Sequence, residues 1–85
     1  MFSVFDIVYV KTQRGTMRAL LNSTNIHEVI YQPSSQTLEI YFHSGHAYCY
    51  AGVPNRIFQE LIEAPSAGRY YNRKIKGQFT SLRWY

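Results

Sequence analysis

An α+β fold is what this sequence predicts: a three-stranded antiparallel sheet followed by two helices packed on one of its faces. Three observations carry that expectation. Gln36–His43 alternates, with Leu38, Ile40 and Phe42 on one side and Glu39, Tyr41 and His43 on the other. Ser44-Gly45 has the composition of a two-residue hairpin turn, after which His46–Ala51 returns as a strand. Ile57, Phe58, Leu61 and Ile62 then form one stripe at helical spacing.

The first strand of the three is Asn25–Gln32, closed by turn residues at Pro33-Ser34-Ser35. With Ser44 and Gly45 as the whole loop, the register follows: His43 faces His46, Tyr41 faces Tyr48, and Glu39 faces Tyr50. Directly opposed residues share a face. One face then carries Tyr41, Tyr48 and Tyr50 with Glu39, His43 and His46. The other is an apolar floor of Leu38, Ile40, Phe42, Ala47, Cys49 and Ala51, suited to receiving helices. Continuing through the Pro33 turn places Val29 and Tyr31 on the apolar face and Ile30 on the aromatic one.

Pro54 suits the first position of a helix that Ala64-Pro65 ends. Ser66 is the expected N-cap of a second helix, and Gly77 its stop. At about 100° per residue, Ala67, Tyr71 and Ile75 share its inner side. Arg69, Arg73 and Lys76 cluster nearly opposite, with Tyr70 and Lys74 between. Ahead of all this, Phe2–Val10 reads as an additional N-terminal strand, rich in β-branched and aromatic residues, which Lys11–Gly15 breaks with a polar turn. It is expected to pair with a sheet edge or to cover the Tyr face. The organisation is therefore an N-terminal extension over 1–21, an α+β domain over 22–78 and a C-terminal tail over 79–85.

The 85 residues make one domain, and eight Tyr and five Phe supply ample core material. Cys49 is the single cysteine, so an intrachain disulfide is ruled out. Asp6 interrupts the apolar start and no stretch approaches the ~20 apolar residues of a spanning helix. A cytoplasmic protein with no membrane association is the expectation.

Net charge is +4, and it is unevenly spread. No acid follows Glu63, whereas Arg69, Arg73, Lys74, Lys76 and Arg83 all do. Such asymmetry points to an anionic partner. Cations on one side of a helix can track a phosphate backbone, and exposed tyrosines can stack on bases. The candidate nucleic-acid-binding residues are accordingly Tyr41, Tyr48, Tyr50, Arg69, Tyr70, Arg73, Lys74 and Lys76.

Ordinary structural roles stand beside these readings. The tyrosines also serve as cross-strand pairs, and the basic residues as a solvated helix face. His43 and His46 oppose each other, but a metal needs three or four ligands, and neither Cys49 nor Glu39 is well placed to complete a site. No G-x-S-x-G, P-loop or H-E-x-x-H pattern occurs, and the five acids are scattered without the spacing of paired catalytic carboxylates. The residues offer no catalytic group, cofactor or metal.

From Asn22 to about Gly77 the chain resembles the KTSC domain family. The resemblance rests on Ser23-Thr24-Asn25-Ile26, Tyr31 with Pro33, and Leu38-Glu39-Ile40 leading to Phe42-His43-Ser44-Gly45. It continues through Tyr48-Cys49-Tyr50, Gly52-Val53-Pro54, Ala64-Pro65-Ser66-Ala67-Gly68 and Tyr70-Tyr71-Asn72 before Ile75. The resemblance implies a short module found alone in bacterial and phage proteins and at the C-terminus of some lysyl-tRNA synthetases. It implies RNA binding through that attachment, and no catalysis. Two expectations stand: a module binding RNA or other single-stranded nucleic acid, and alternatively a protein-interaction or homo-oligomeric assembly module with the Tyr face buried against a partner chain.

Overall fold

Arg14 and Gly15 both take positive φ, 54° and 76°, the dihedral pair that a tight two-residue hairpin turn requires. The turn closes β1 (Ile7–Gln13) onto β2 (Thr16–Leu21), with Gln13 opposite Thr16. The computed structural model describes residues 7–83. Of the expected strand Phe2–Val10, the part before Ile7 lies outside those residues, and the rest belongs to β1. β2 in turn pairs with β3 (Ile26–Gln32), which pairs with β4 (Thr37–Phe42) and then β5 (Ala47–Tyr50). A last short strand, β6 (Ser81–Arg83), returns along β5. The sheet therefore has six strands in sequential antiparallel order rather than three. β2 in the 1–21 extension and β6 in the 79–85 tail are strands beyond those expected, and the expected polar turn over Lys11–Gly15 shrinks to Arg14-Gly15, since β1 runs on through Gln13.

Two helices lie on one face, α1 (Asn55–Glu63) and α2 (Ala67–Lys74). Pro54 is the N-cap of α1 rather than its first residue, and Ala64 leaves the helix in an extended conformation ahead of Pro65. Ser66 caps α2, its hydroxyl accepting from the Arg69 amide at 3.3 Å. Ile57, Phe58, Leu61 and Ile62 from α1, and Ala67, Tyr71 and Ile75 from the α2 region, are buried against Ala19, Val29, Tyr31, Leu38 and Ile40 of the sheet. Phe58 stacks on Tyr31 with centroids 5.0 Å apart, and the Tyr31 hydroxyl donates to the Val53 carbonyl at 2.5 Å. Burying side chains of this size stabilises the fold by about 1.5–3 kcal/mol each.

The turn after β4 departs from the expected one, with large consequences. The Phe42 amide bonds to the His46 carbonyl at 2.9 Å, and the Gly45 amide to the Phe42 carbonyl at 3.0 Å, with Gly45 at φ +95°. The loop is thus three residues, His43-Ser44-Gly45, the turn-plus-bulge form in which glycine takes the left-handed position. Phe42, not His43, stands opposite His46. Every pair beyond slips by one: Tyr41 with Ala47, Ile40 with Tyr48, Glu39 with Cys49, Leu38 with Tyr50. Because side chains alternate, the whole of β5 changes face. Tyr48 and Tyr50 point with Leu38 and Ile40 toward the helices, while Cys49 sits with Glu39 on the helix-free face. The expected Tyr41–Tyr48–Tyr50 platform and the buried Cys49 are both overturned. On β3 the expected faces hold: Val29 and Tyr31 are fully buried, and Ile30 lies on the other side opposite Glu39.

Candidate functional site

A bulge at the start of β3 shapes the end of the sheet where a cleft forms. Ile26 pairs with Phe42 and Glu28 with Tyr41, leaving His27 as the extra residue. The shift turns Ile26 into the core, where it is fully buried. It also brings the His27 ring to 5.2 Å from that of His43. The β2–β3 loop is fixed by its own side chains: the Ser23 hydroxyl accepts from the amides of Asn25 and Ile26, each at 3.2 Å. The β4–β5 turn is tied to it, since the His43 amide donates to the Asn25 carbonyl and His43 Nε2 to the Ser23 carbonyl, both at 2.9 Å. His43 and His46 are therefore not an opposed pair. Among the described residues no group of three or more His, Cys, Asp or Glu could hold a metal.

Against this tied corner lies α2, and between them opens a cleft of about 550 Å³. Its apolar lining is Phe42, Tyr48, Tyr50 and Tyr71, and its polar lining includes Asn25, Asn72, His46 and Lys76. A second recess of about 370 Å³ continues past Asn25, Gly68 and Asn72 to Ser66 and Arg69. Gly68 permits the approach. A Cβ there would come within 3.3 Å of Asn25 Nδ2, so even alanine would require the Asn25 side chain to give by a few tenths of an ångström.

Tyr50 and Tyr71 are 3% and 7% exposed, with their hydroxyls 2.6 Å apart. Burial pushes both hydroxyls above the ordinary tyrosine value of 10.0; the bond to Tyr71 raises Tyr50 further. Both stay protonated at neutral pH. Tyr70 is half-buried, and its hydroxyl donates to Glu60 Oε1 at 2.6 Å, which ties α2 to α1. Burial, together with that bond, raises it as well. Cys49 is half-buried, and burial and the nearby Glu39 carboxylate raise its thiol, so it is a poor nucleophile.

Of the residues marked from sequence, Tyr48, Tyr50 and Lys76 meet in the cleft and Arg69 lines the recess. Arg73 and Lys74 are exposed on α2 beside them. Tyr41 is on the opposite face of the sheet, bonded through its hydroxyl to Glu39 at 2.7 Å. Asn25, Phe42, Tyr71 and Asn72 were not singled out from sequence. The available signal was Gly68, a residue that weakens a helix and so marks a place where something must come close.

Comparison with known proteins bears on this geometry. A stretch of this chain is 49% identical over 49 residues to a lysine–tRNA ligase of Nostoc, covering 58% of this chain and 9% of the ligase. An uncharacterized protein of Stutzerimonas stutzeri is 41% identical over 61 residues, covering 72% of this chain and 86% of its own length. The crystal structure of a KTSC domain protein from Yersinia pestis superposes with a TM-score of 0.76 at 35% identity, covering 80% of this chain and 96% of that one. The KTSC domain model matches residues 22–79, from the β2–β3 loop through both helices. This chain belongs to the KTSC domain family.

Proposed function

We propose that this domain is a non-catalytic module that binds RNA through the solvent face of α2. The observation that carries the reading is the state of its cations. Arg69, Arg73, Lys74 and Lys76 are all exposed, and the ion pair among the described residues is elsewhere, between Arg18 and Glu28. Exposed cations held in no ion pair among the described residues are available to phosphates, and each contact releases counterions. The similarity to part of a lysine–tRNA ligase supports RNA over other polyanions. The matched stretch is a small fraction of that enzyme, so it is the association with RNA, not ligation, that carries across. A cytoplasmic setting accords with a single cysteine, and among the described residues no helix is long and apolar enough to cross a membrane.

A titration with mixed-sequence RNA at low ionic strength tests the proposal. Three contacts, from Arg69, Arg73 and Lys76, give a log–log salt slope of about −2 on single strands. Replacing all three with Gln removes most of that slope and leaves the fold intact, because all three are exposed. No detectable RNA binding at low salt would reject the reading. One observation favours the competing assembly reading: Leu82, on the helix-free face, is 72% exposed. That reading predicts no RNA binding and a concentration-dependent increase in mass that Leu82→Lys abolishes.

A further inference from the structure

The wide cleft joins a floor of aromatic rings to a rim of amides and a cation. Phe42 and Tyr48 are only half-buried, so part of each ring stays open to the cleft, while Tyr50 and Tyr71 close it beneath. Phe42 stands edge-on to both Tyr48 and Tyr71, with centroids 5.9 and 5.3 Å away, so the rings brace one another. The Tyr50–Tyr71 bond uses one of the pair's two hydroxyl protons. Both residues line the cleft. Asn25 and Asn72 each add a donor and an acceptor, and Lys76 adds a positive charge at the α2 end.

A flat ring with hydrogen-bonding groups at its edge, carried on an anion, answers all of these features together. We propose that the cleft takes one unpaired base of an RNA whose phosphates lie along α2. The proposal rests on the RNA reading above and deepens it, because it assigns base contact to the cleft beside the phosphate contacts, with Lys76 between the two. The volume lies within the range of sites that enclose a small ligand group. An apolar side chain of a peptide would fill the floor but leave the amides and Lys76 without partners, a poorer match. Paired bases, stacked inside an A-form helix, cannot present a ring to such a cleft, so the site selects single-stranded segments.

The test uses a stem–loop RNA and the same RNA with every loop nucleotide made abasic, two ligands of equal charge. The intact loop is expected to bind roughly tenfold more tightly, the scale of one stacked base, with the same salt slope for both. Equal affinities overturn the cleft assignment while leaving the α2 phosphate contacts standing. No binding to either RNA overturns both. Tyr48→Ala should erase the preference for the intact loop without altering the slope, its folding checked by circular dichroism. Asn72→Ala, at an exposed position, carries little folding risk and should reduce the preference. If both variants keep the full preference, the base sits elsewhere and the proposal falls.

Discussion

The phenolic oxygens of Tyr50 in β5 and Tyr71 in α2 lie 2.6 Å apart, a side-chain hydrogen bond that joins the sheet directly to that helix. Both rings are nearly inaccessible, so removing one hydroxyl strands the other. Tyr71→Phe should lower stability by about 1–2 kcal/mol in equilibrium denaturation. The double variant Tyr50→Phe/Tyr71→Phe should cost less than the two single changes added together, because it leaves no orphaned hydroxyl. Strict additivity would show that the bond is not formed.

The same pair sets an alkaline limit. Burial first, then their mutual contact, holds Tyr50 above 10.0, and burial raises Tyr71 and Tyr31 too. Unfolded tyrosines therefore lose their protons before the folded ones do. Stability from these groups is complete below pH 10 and declines as pH rises toward the folded values. The urea midpoint should fall on crossing pH 10, and the fall should be shallower in the double Phe variant. A midpoint that stays level through that range would contradict the assignment.

Gly68→Ala should separate stability from recognition. Alanine is favoured over glycine by up to about 1 kcal/mol inside a helix, and by less in the first turn of α2, and the atom it would crowd, Asn25 Nδ2 at 3.3 Å, ends an exposed side chain free to move. The melting temperature should rise slightly while preference for an intact RNA loop drops. A loss of stability would show instead that the β2–β3 loop cannot yield.

Gly45, at φ +95°, is where the β4–β5 turn cannot accept a side chain cheaply. Gly45→Ala should cost about 1–2 kcal/mol, and the neighbouring exposed Ser44→Ala less than about 0.5 kcal/mol. Equal costs at the two positions would mean that the turn has another conformation.

Both helices were legible because their signals are local and redundant. The stripe from Ile57 to Ile62, the Ser66 cap and the Pro65 break each pointed to the same boundaries. The strands were less so. Ser44-Gly45 looks like a complete two-residue loop, yet one more loop residue, His43, reverses every side chain of β5. Tyr48-Cys49-Tyr50 reads plausibly with either face inward, since tyrosine tolerates burial and cysteine tolerates exposure, so composition could not correct the error. The β1–β2 hairpin was hidden for a different reason. Its turn has Arg14 where Asn or Asp usually announces the inverse form. The exposure of the basic residues on and after α2 was legible because charge asymmetry survives any error in register. The cleft was not found, because Asn25, Phe42, Tyr71 and Asn72 come from separate elements that only the packed fold brings together.

The hairpin that precedes the family-matched region has a further consequence for how the chain meets other chains. β3 begins at Ile26, inside that region, and its outer edge is occupied by β2, which lies before residue 22. Left bare, that edge would offer a row of unpaired amides and carbonyls to any extended segment nearby. By folding its own hairpin onto it, this chain moves the recruiting edge outward to β1, where Lys11 stands exposed in mid-strand and Arg14 at the turn. Charged residues at a sheet margin discourage strand addition. The extension thus covers an edge of the family-matched sheet that would otherwise stand open to strand addition.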